Sequence, residues 1–269
     1  MATFPFLKFG NSGASVEGLQ KRLLRLGFNP GPLDGDFGQK TEAAVKDFQR
    51  KHGLEIDGKV GPLTWAAIVA AENGSEPATS TPFGAKLITV AVDQFDTFHL
   101  RNEADTRLCR QIKRYWDDLG LGFTSCTTVP WSAVFVSWCV KKAGATAEQF
   151  KFSAAHSQFV HAAIKNADND RGVFHGLKFN STPLRVGDIL QNNRGGAERD
   201  FEFARTHSAY ESHSAIVVQV SLIGANSFAV IIGGNEGDSI RRTMVDLNAS
   251  GVVKQRANNP FISIVRRVA

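Results

Sequence analysis

Apolar residues at Val16, Leu19, Leu23 and Leu26 recur every three or four positions, the spacing that puts them on one helical face. Ser15 stands where a helix cap is expected and Gly27 where the helix should stop. Ala44, Val45 and Phe48 repeat the stripe up to a stop at Gly53, and a third short helix starts near Thr64. A stretch rich in Ser, Thr, Gly and Pro, residues 73–82, then reads as a linker. Helical spacing resumes over 86–100, 107–119, 132–143 and 154–166. Past Gly187 the texture changes to short β-branched runs at 189–190, 214–220, 228–232, 240–245 and 262–265, separated by Gly, Asn and Ser. Helices followed by strands predict an α+β domain with an antiparallel sheet. The expected organisation is a three-helix module over 1–72, the linker, and a second domain over 83–269.

Ahead of the second and third helices the chain writes one phrase twice: Asp34-Gly35-Asp36-Phe37-Gly38-Gln39-Lys40-Thr41 and Asp57-Gly58-Lys59-Val60-Gly61-Pro62-Leu63-Thr64-Trp65. Asp-Gly favours a tight turn with positive φ, and each Thr falls in a first helical turn. With Leu19-Gln20, Leu26-Gly27, Ala44-Val45 and Phe48-Gln49, this segment resembles the small helical peptidoglycan-binding domain of bacterial cell-wall hydrolases. The resemblance implies peptidoglycan as the partner. It makes Asp34, Asp36, Phe37, Thr41, Asp57, Thr64 and Trp65 candidate binding residues, though the same residues would serve the turns and core of the fold alone.

The net charge of +5 suits an anionic polymer, but Lys and Arg are scattered and form neither a recognition helix nor a phosphate loop, so nucleic acid is a poor partner. The first 13 residues lack the pattern of a signal peptide, and no apolar run is long enough to span a bilayer. The expectation is synthesis in the cytoplasm, no stable membrane insertion, and action in the periplasm or cell wall after delivery. A phage lysin or an injected effector, the latter with secretion machinery and an immunity protein as partners, meets that condition. Cys109, Cys126 and Cys139 have neither metal spacing nor the count of a disulfide framework; Cys109 and Cys139 read as buried apolar residues. No cofactor or metal is expected: His-Glu-x-x-His is absent, and His207 with His213 is a poor ligand pair.

Three places carry candidate chemistry. Ser132 follows Pro130-Trp131 at the start of a helix, where free N–H groups favour developing negative charge; it is either a helix cap or a nucleophile. His213 opens a strand, as an ordinary edge residue or as a rigidly held base. Asn235, after Gly233-Gly234, is either a turn residue or the group that orients the imidazole. Trp131-Ser-Ala-x-Phe-Val, Val186-Gly187-Asp188-Ile189, His213-x-x-Ile-Val-Val and Gly234-Asn235 resemble the papain-like amidases and peptidases of the NlpC and CHAP type. The likeness is greatest to an uncharacterised bacterial branch that writes Trp-Ser-Ala and a Ser-x-x-His element, here Ser153-Ala-Ala-His156.

That resemblance implies a papain-like catalytic domain that cuts an amide of the peptide stem or the sugar–peptide junction, with Ser132 attacking, His213 as base and Asn235 orienting it. Trp131, Ser153 and His156 would line the cleft. Ser132 departs from the cysteine of the best-known members, and a hydroxyl needs a base to take its proton. Cys126 is the nearer alternative thiol, and Cys139 lies seven residues on. A glycan-cleaving muramidase or transglycosylase would instead use carboxylates, among which Glu236, Glu211, Asp238 and Asp188 are available. A wall-binding protein without catalysis is the remaining alternative.

Overall fold

The computed structural model describes residues 5–52, 54–72, 81–222 and 227–268. Gly53, the expected helix stop, and most of the expected linker lie outside the described residues. The chain divides into two compact units, Met1–Pro77 and Ala78–Ala269.

The first unit holds three helices, α1 (Ala14–Arg25), α2 (Gln39–Lys51) and α3 (Pro62–Glu72). Their apolar faces meet in one core that includes Val16, Leu19, Leu23, Phe37, Val45, Phe48, Val60 and Ile68. The helix start differs from the sequence expectation. Gly13 occupies the cap position of α1 with φ 111°, a conformation open to glycine, so the helix begins before Ser15 and Ser15 lies inside it.

The repeated phrase has a shared internal architecture. Gln20 Nε2 donates to Asp34 Oδ1 at 3.0 Å, to the Asp36 carbonyl at 3.0 Å and to Thr41 Oγ1 at 3.1 Å, while its Oε1 accepts from Gly35 N at 2.9 Å. Gln49 does the same one helix later: its Nε2 donates to Asp57 Oδ1 at 2.9 Å, the Lys59 carbonyl at 2.8 Å and Thr64 Oγ1 at 3.2 Å, and its Oε1 accepts from Gly58 N at 2.9 Å. A buried amide thus satisfies each Asp-Gly turn from within, which explains why the two turns spell the same residues.

The second unit contains α4 (Pro82–Phe98), α5 (Thr106–Leu119), α6 (Ser132–Lys142), α7 (His156–Asp168), then β1 (Phe174–Lys178), β2 (Ile189–Asn193), α8 (Phe201–Thr206), β3 (Ser212–Ser221), β4 (Phe228–Glu236), β5 (Ser239–Asp246) and β6 (Phe261–Arg267). The six strands form one antiparallel sheet in the order β1-β6-β2-β3-β4-β5. Helices and antiparallel sheet make this an α+β unit. Ile216, Ile232, Ile240 and Val265 pack into the core shared with the helices, whereas Ala215, Val217, Ile231 and Ile264 pack under Phe179, Leu184, Leu247 and Val253. Because the central strands are covered on both faces, they read as unbroken apolar runs rather than as alternating ones.

Helix α6 is the centre of this unit. Its residues from Ser132 to Val140 are all buried, and it lies so close to β4 that a Cβ on Gly234 would stand 2.7 Å from Phe135 Cβ and 2.8 Å from the Trp131 ring. The disulfide corrects the reading of Cys109 and Cys126, while Cys139 is buried as expected. Cys109 of α5 and Cys126 of the loop before α6 form a disulfide, so neither is a free apolar thiol and Cys126 offers no thiolate. Cys139 is free and buried in α6, and burial pushes its thiol pKa well up, which keeps it protonated. Asp188 is likewise committed to the fold. It accepts two bonds from Arg266, at 2.8 and 2.7 Å, and one from Arg185 N at 2.7 Å, joining the start of β2 to the end of β6.

Candidate functional site

The cap of α6 is Trp131, and it makes no side-chain cap bond; Ser132 is the first helical residue. Its hydroxyl is therefore not spent on capping. Ser132 Oγ instead lies 2.8 Å from His156 Nε2, with both residues buried at 2% and 5% exposure. His156 reaches it because of the turn before α7. Ser153 N donates to Ser137 Oγ at 3.1 Å, Ser137 Oγ donates to the Ser153 carbonyl at 2.9 Å, and Ser153 Oγ accepts from Ala155 N at 3.0 Å. The turn is thereby tied to the next turn of the helix that carries Ser132. This is the physical content of the Ser-x-x-His element: Ser153 builds the turn that delivers His156.

His213 comes from the other side of the site. The β3–β4 ladder ends at Ile216 opposite Ile232, and beyond that point His213 Nε2 meets Glu236 Oε1 at 2.8 Å. Gly233 makes the meeting possible, since a Cβ there would fall 2.0 Å from Glu236 Oε1 and 3.0 Å from His213 Nε2. The register of β4 against β5 shifts between Gly234 and Glu236, with Asn235 between them at φ 57°. That bulge turns Glu236 toward the histidine. Thr243 Oγ1 donates to the second oxygen of Glu236 at 3.1 Å.

The structure thus distributes the expected residues differently from the spacing argument. Glu236, not Asn235, is the partner of His213. Asn235 Nδ2 donates to Glu103 Oε2 at 2.9 Å, and the same oxygen accepts from Trp131 Nε1 at 2.9 Å. Glu103 therefore holds the residue before Ser132 and the residue before Glu236 in one frame, and sequence reasoning missed it. Trp131, expected to line the cleft, is fully buried, and its indole nitrogen donates to this internal carboxylate. The rings of His156 and His213 lie 5.3 Å apart, edge to face. Burial, followed by His213 and Arg194, holds the His156 pKa well below the ordinary histidine range, so this imidazole is neutral.

Two cavities adjoin these groups. One, of about 250 Å³, is lined by His213, Glu236, Asn235, Arg194, Arg256 and Asn192 among others. The other, of about 270 Å³, runs along Thr127–Pro130 beside Glu103, Asp238, Arg194 and Asn235. Arg194 and Asn235 line both, whereas Ser132, Ser153 and His156 line neither and are buried, contrary to the expectation that Ser153 and His156 line the cleft. Among the described residues no group of three His, Cys, Asp or Glu side chains is gathered as a metal site.

In the first unit, Asp34, Asp36, Thr41 and Gln20 line a separate cavity of about 340 Å³ together with Phe9, Pro30 and Lys40. Phe37, Thr64 and Trp65, also expected on the binding face, are buried instead. Trp65 Nε1 donates to the Pro5 carbonyl at 2.7 Å, and Asp57 carries the internal bond to Gln49.

Comparison with known proteins follows the same division. Residues 12–68 match the family model described as "Putative peptidoglycan binding domain". The N-acetylmuramoyl-L-alanine amidase CwlL of Bacillus licheniformis is 37% identical over 93 residues, 31% of this chain and 26% of that protein. A spore cortex-lytic enzyme of Oceanobacillus iheyensis is 45% identical over 64 residues, 24% of this chain and 23% of that protein. Among solved structures, the SleB N-terminal domain is 40% identical, with 26% of this chain and 94% of that chain covered and a TM-score of 0.25. The chain spans from about a quarter to about half of the length of the first curated relatives it matches. Residues 104–266, the whole neighbourhood of Ser132, His156, His213 and Glu236, match a second model. Since that match covers more than half of the chain, the chain belongs to the bacterial family described as "Uncharacterized protein conserved in bacteria (DUF2272)".

Proposed function

We propose that this protein is a peptidoglycan hydrolase whose first unit holds the wall and whose second unit cleaves an amide of the peptide stem or of the sugar–peptide junction. The observation that carries the reading is the pairing of Ser132 Oγ with His156 Nε2 at 2.8 Å at the N-terminus of α6, beside a second histidine backed by a carboxylate. Helix start, strand start and end of the neighbouring strand form the order of a papain-like amidase of the NlpC and CHAP type, with serine at the attacking position. Ser132 Oγ attacks the carbonyl carbon and the free N–H groups of the first turn of α6 receive the negative charge that builds on the carbonyl oxygen. The proton of Ser132 passes to His213 and from there to the leaving amine, and water then releases the acyl group. Glu236 accepts from His213 and favours the imidazolium formed in between.

The glycan-cleaving alternative is less well supported. It needs a carboxylic acid that stays protonated in an apolar setting. Glu103 Oε2 accepts two hydrogen bonds and Glu236 is engaged by His213 and Thr243, so neither carboxyl lies in an apolar setting. The resemblance of the first unit to wall-binding domains, and the names of the amidase and cortex-lytic relatives, support the substrate class. Digestion of purified sacculi followed by mass spectrometry tests the reading. Free stem peptides or stem fragments are the expected product; cleaved glycan with intact stems, or no soluble product, would overturn it.

A further inference from the structure

His156 is buried, with Nε2 on Ser132 Oγ and Nδ1 enclosed without a hydrogen-bond partner among the described residues. A neutral imidazole carries one N–H, and the two tautomers differ in what they leave unpaired. With the proton on Nδ1, a buried N–H would be orphaned, which proteins rarely tolerate; with the proton on Nε2, only an acceptor lone pair goes unused and the N–H finds Ser132. The charged form, with both nitrogens protonated, would orphan the same N–H and place a cation in the interior within the field of Arg194. Contact with Glu236 fixes the tautomer of His213. Glu236 is a carboxylate and can only accept, so His213 Nε2 carries the proton and Nδ1 is the basic nitrogen.

We propose that His156 is a hydrogen-bond donor that positions Ser132 Oγ, and that it is not the base that deprotonates it. A group that gives its only N–H to an oxygen cannot take that oxygen's proton through the same nitrogen. The Ser132 proton leaves instead for His213 Nδ1, directly or across one water, while the Oγ–C bond forms and the His156 N–H stabilises the oxygen as it sheds its proton. This inference rests on the hydrolase reading above for its kinetic part. Its structural part, the tautomer, stands apart from any activity.

Nitrogen-15 NMR of the histidines in the full chain tests the tautomer at pH 7, with the His156 signals identified by their loss in His156→Gln. The expected pattern is protonated Nε2 and bare Nδ1; a protonated Nδ1 overturns the proposal. Turnover on sacculi tests the role. The glutamine amide can donate to Oγ as Nε2–H does, so His156→Gln should keep the acid limb of the pH profile and lose roughly tenfold, whereas His156→Ala should lose about 100-fold or more. His213→Gln should abolish the acid limb. If His156→Gln proves as inactive as His156→Ala and removes that limb, His156 is the base and the proposal fails. If the wild-type protein releases nothing from sacculi while the Nε2–H tautomer is found, the hydrolase reading fails and the donor assignment holds.

Discussion

A serine hydroxyl attacks only when something takes its proton, so the proposed role of Ser132 depends on His156, its hydrogen-bond partner, and on the proposed base His213. If Ser132 and His213 work as one unit, Ser132→Ala and His213→Ala should each lower sacculus turnover by about 10³-fold or more, and the double variant should be little worse than either. Near-additive losses would separate their roles. Glu236→Gln should cost less than His213→Ala, because an amide still orients the ring but no longer favours its charged form. The neutrality of His156 also has a consequence for stability. Its pKa in the fold is held below the value of about 6.5 that it has in the unfolded chain, so the unfolded state binds a proton first. Stability from this group is full above that pH and falls as the pH drops below it. Thermal unfolding followed from pH 7.5 to 5 should show Tm falling more steeply in wild type than in His156→Gln, and parallel slopes would contradict the buried neutral ring.

At the scale of elements, the site depends on how β4 ends. Gly233→Ala should push Glu236 and His213 apart while leaving the rest of β4 paired, so turnover should fall with little loss of Tm; a large loss of Tm with normal turnover would show that the glycine serves packing alone. The Cys109–Cys126 bridge closes a loop of 17 residues immediately before α6. Replacing both cysteines by serine should cost about 3 kcal/mol of unfolding free energy on the chain-entropy account, measurable by denaturant titration. The apolar periodicities of α1, α2 and α4 to α7 and the β-branched runs of β2 to β6 were legible because each reports a buried face. Two elements were not. β1 is five residues of mixed burial interrupted by Gly176, and α8 is six residues whose helix is fixed by Asp200 capping Phe203 N. The places of Ser132 at a helix start and of His213 near a strand start were legible in the sequence. Glu103 was not, because it meets Trp131 across 28 positions and Asn235 across 132, and no local pattern announces such a contact. The partner of His213 was misplaced by one residue, since a bulge at Asn235 cannot be read from alternation.

At the scale of the whole molecule, binding and cutting are assigned to units that have separate cores. Wall affinity should therefore survive the loss of catalysis. Ser132→Ala, a change within the second unit, should sediment with purified sacculi as wild type does, and failure to do so would place the binding function elsewhere. The repeated turns offer a sharper handle. Gln20 satisfies Asp34, Gly35 and Thr41 around the cavity of the first unit, so Gln20→Ala should weaken sedimentation with sacculi while hydrolysis of small soluble wall fragments by the second unit stays within about twofold of wild type. Unchanged sedimentation would move the wall-binding surface away from the Asp34 turn. Location supplies the last test, because a wall hydrolase harms a bacterium only where it meets wall. Expression in the cytoplasm should be tolerated, and fusion to a periplasmic signal should cause rounding and lysis that Ser132→Ala abolishes. Equal toxicity of the cytoplasmic form, or lysis that survives Ser132→Ala, would mean that the damage does not come from amide cleavage in the wall.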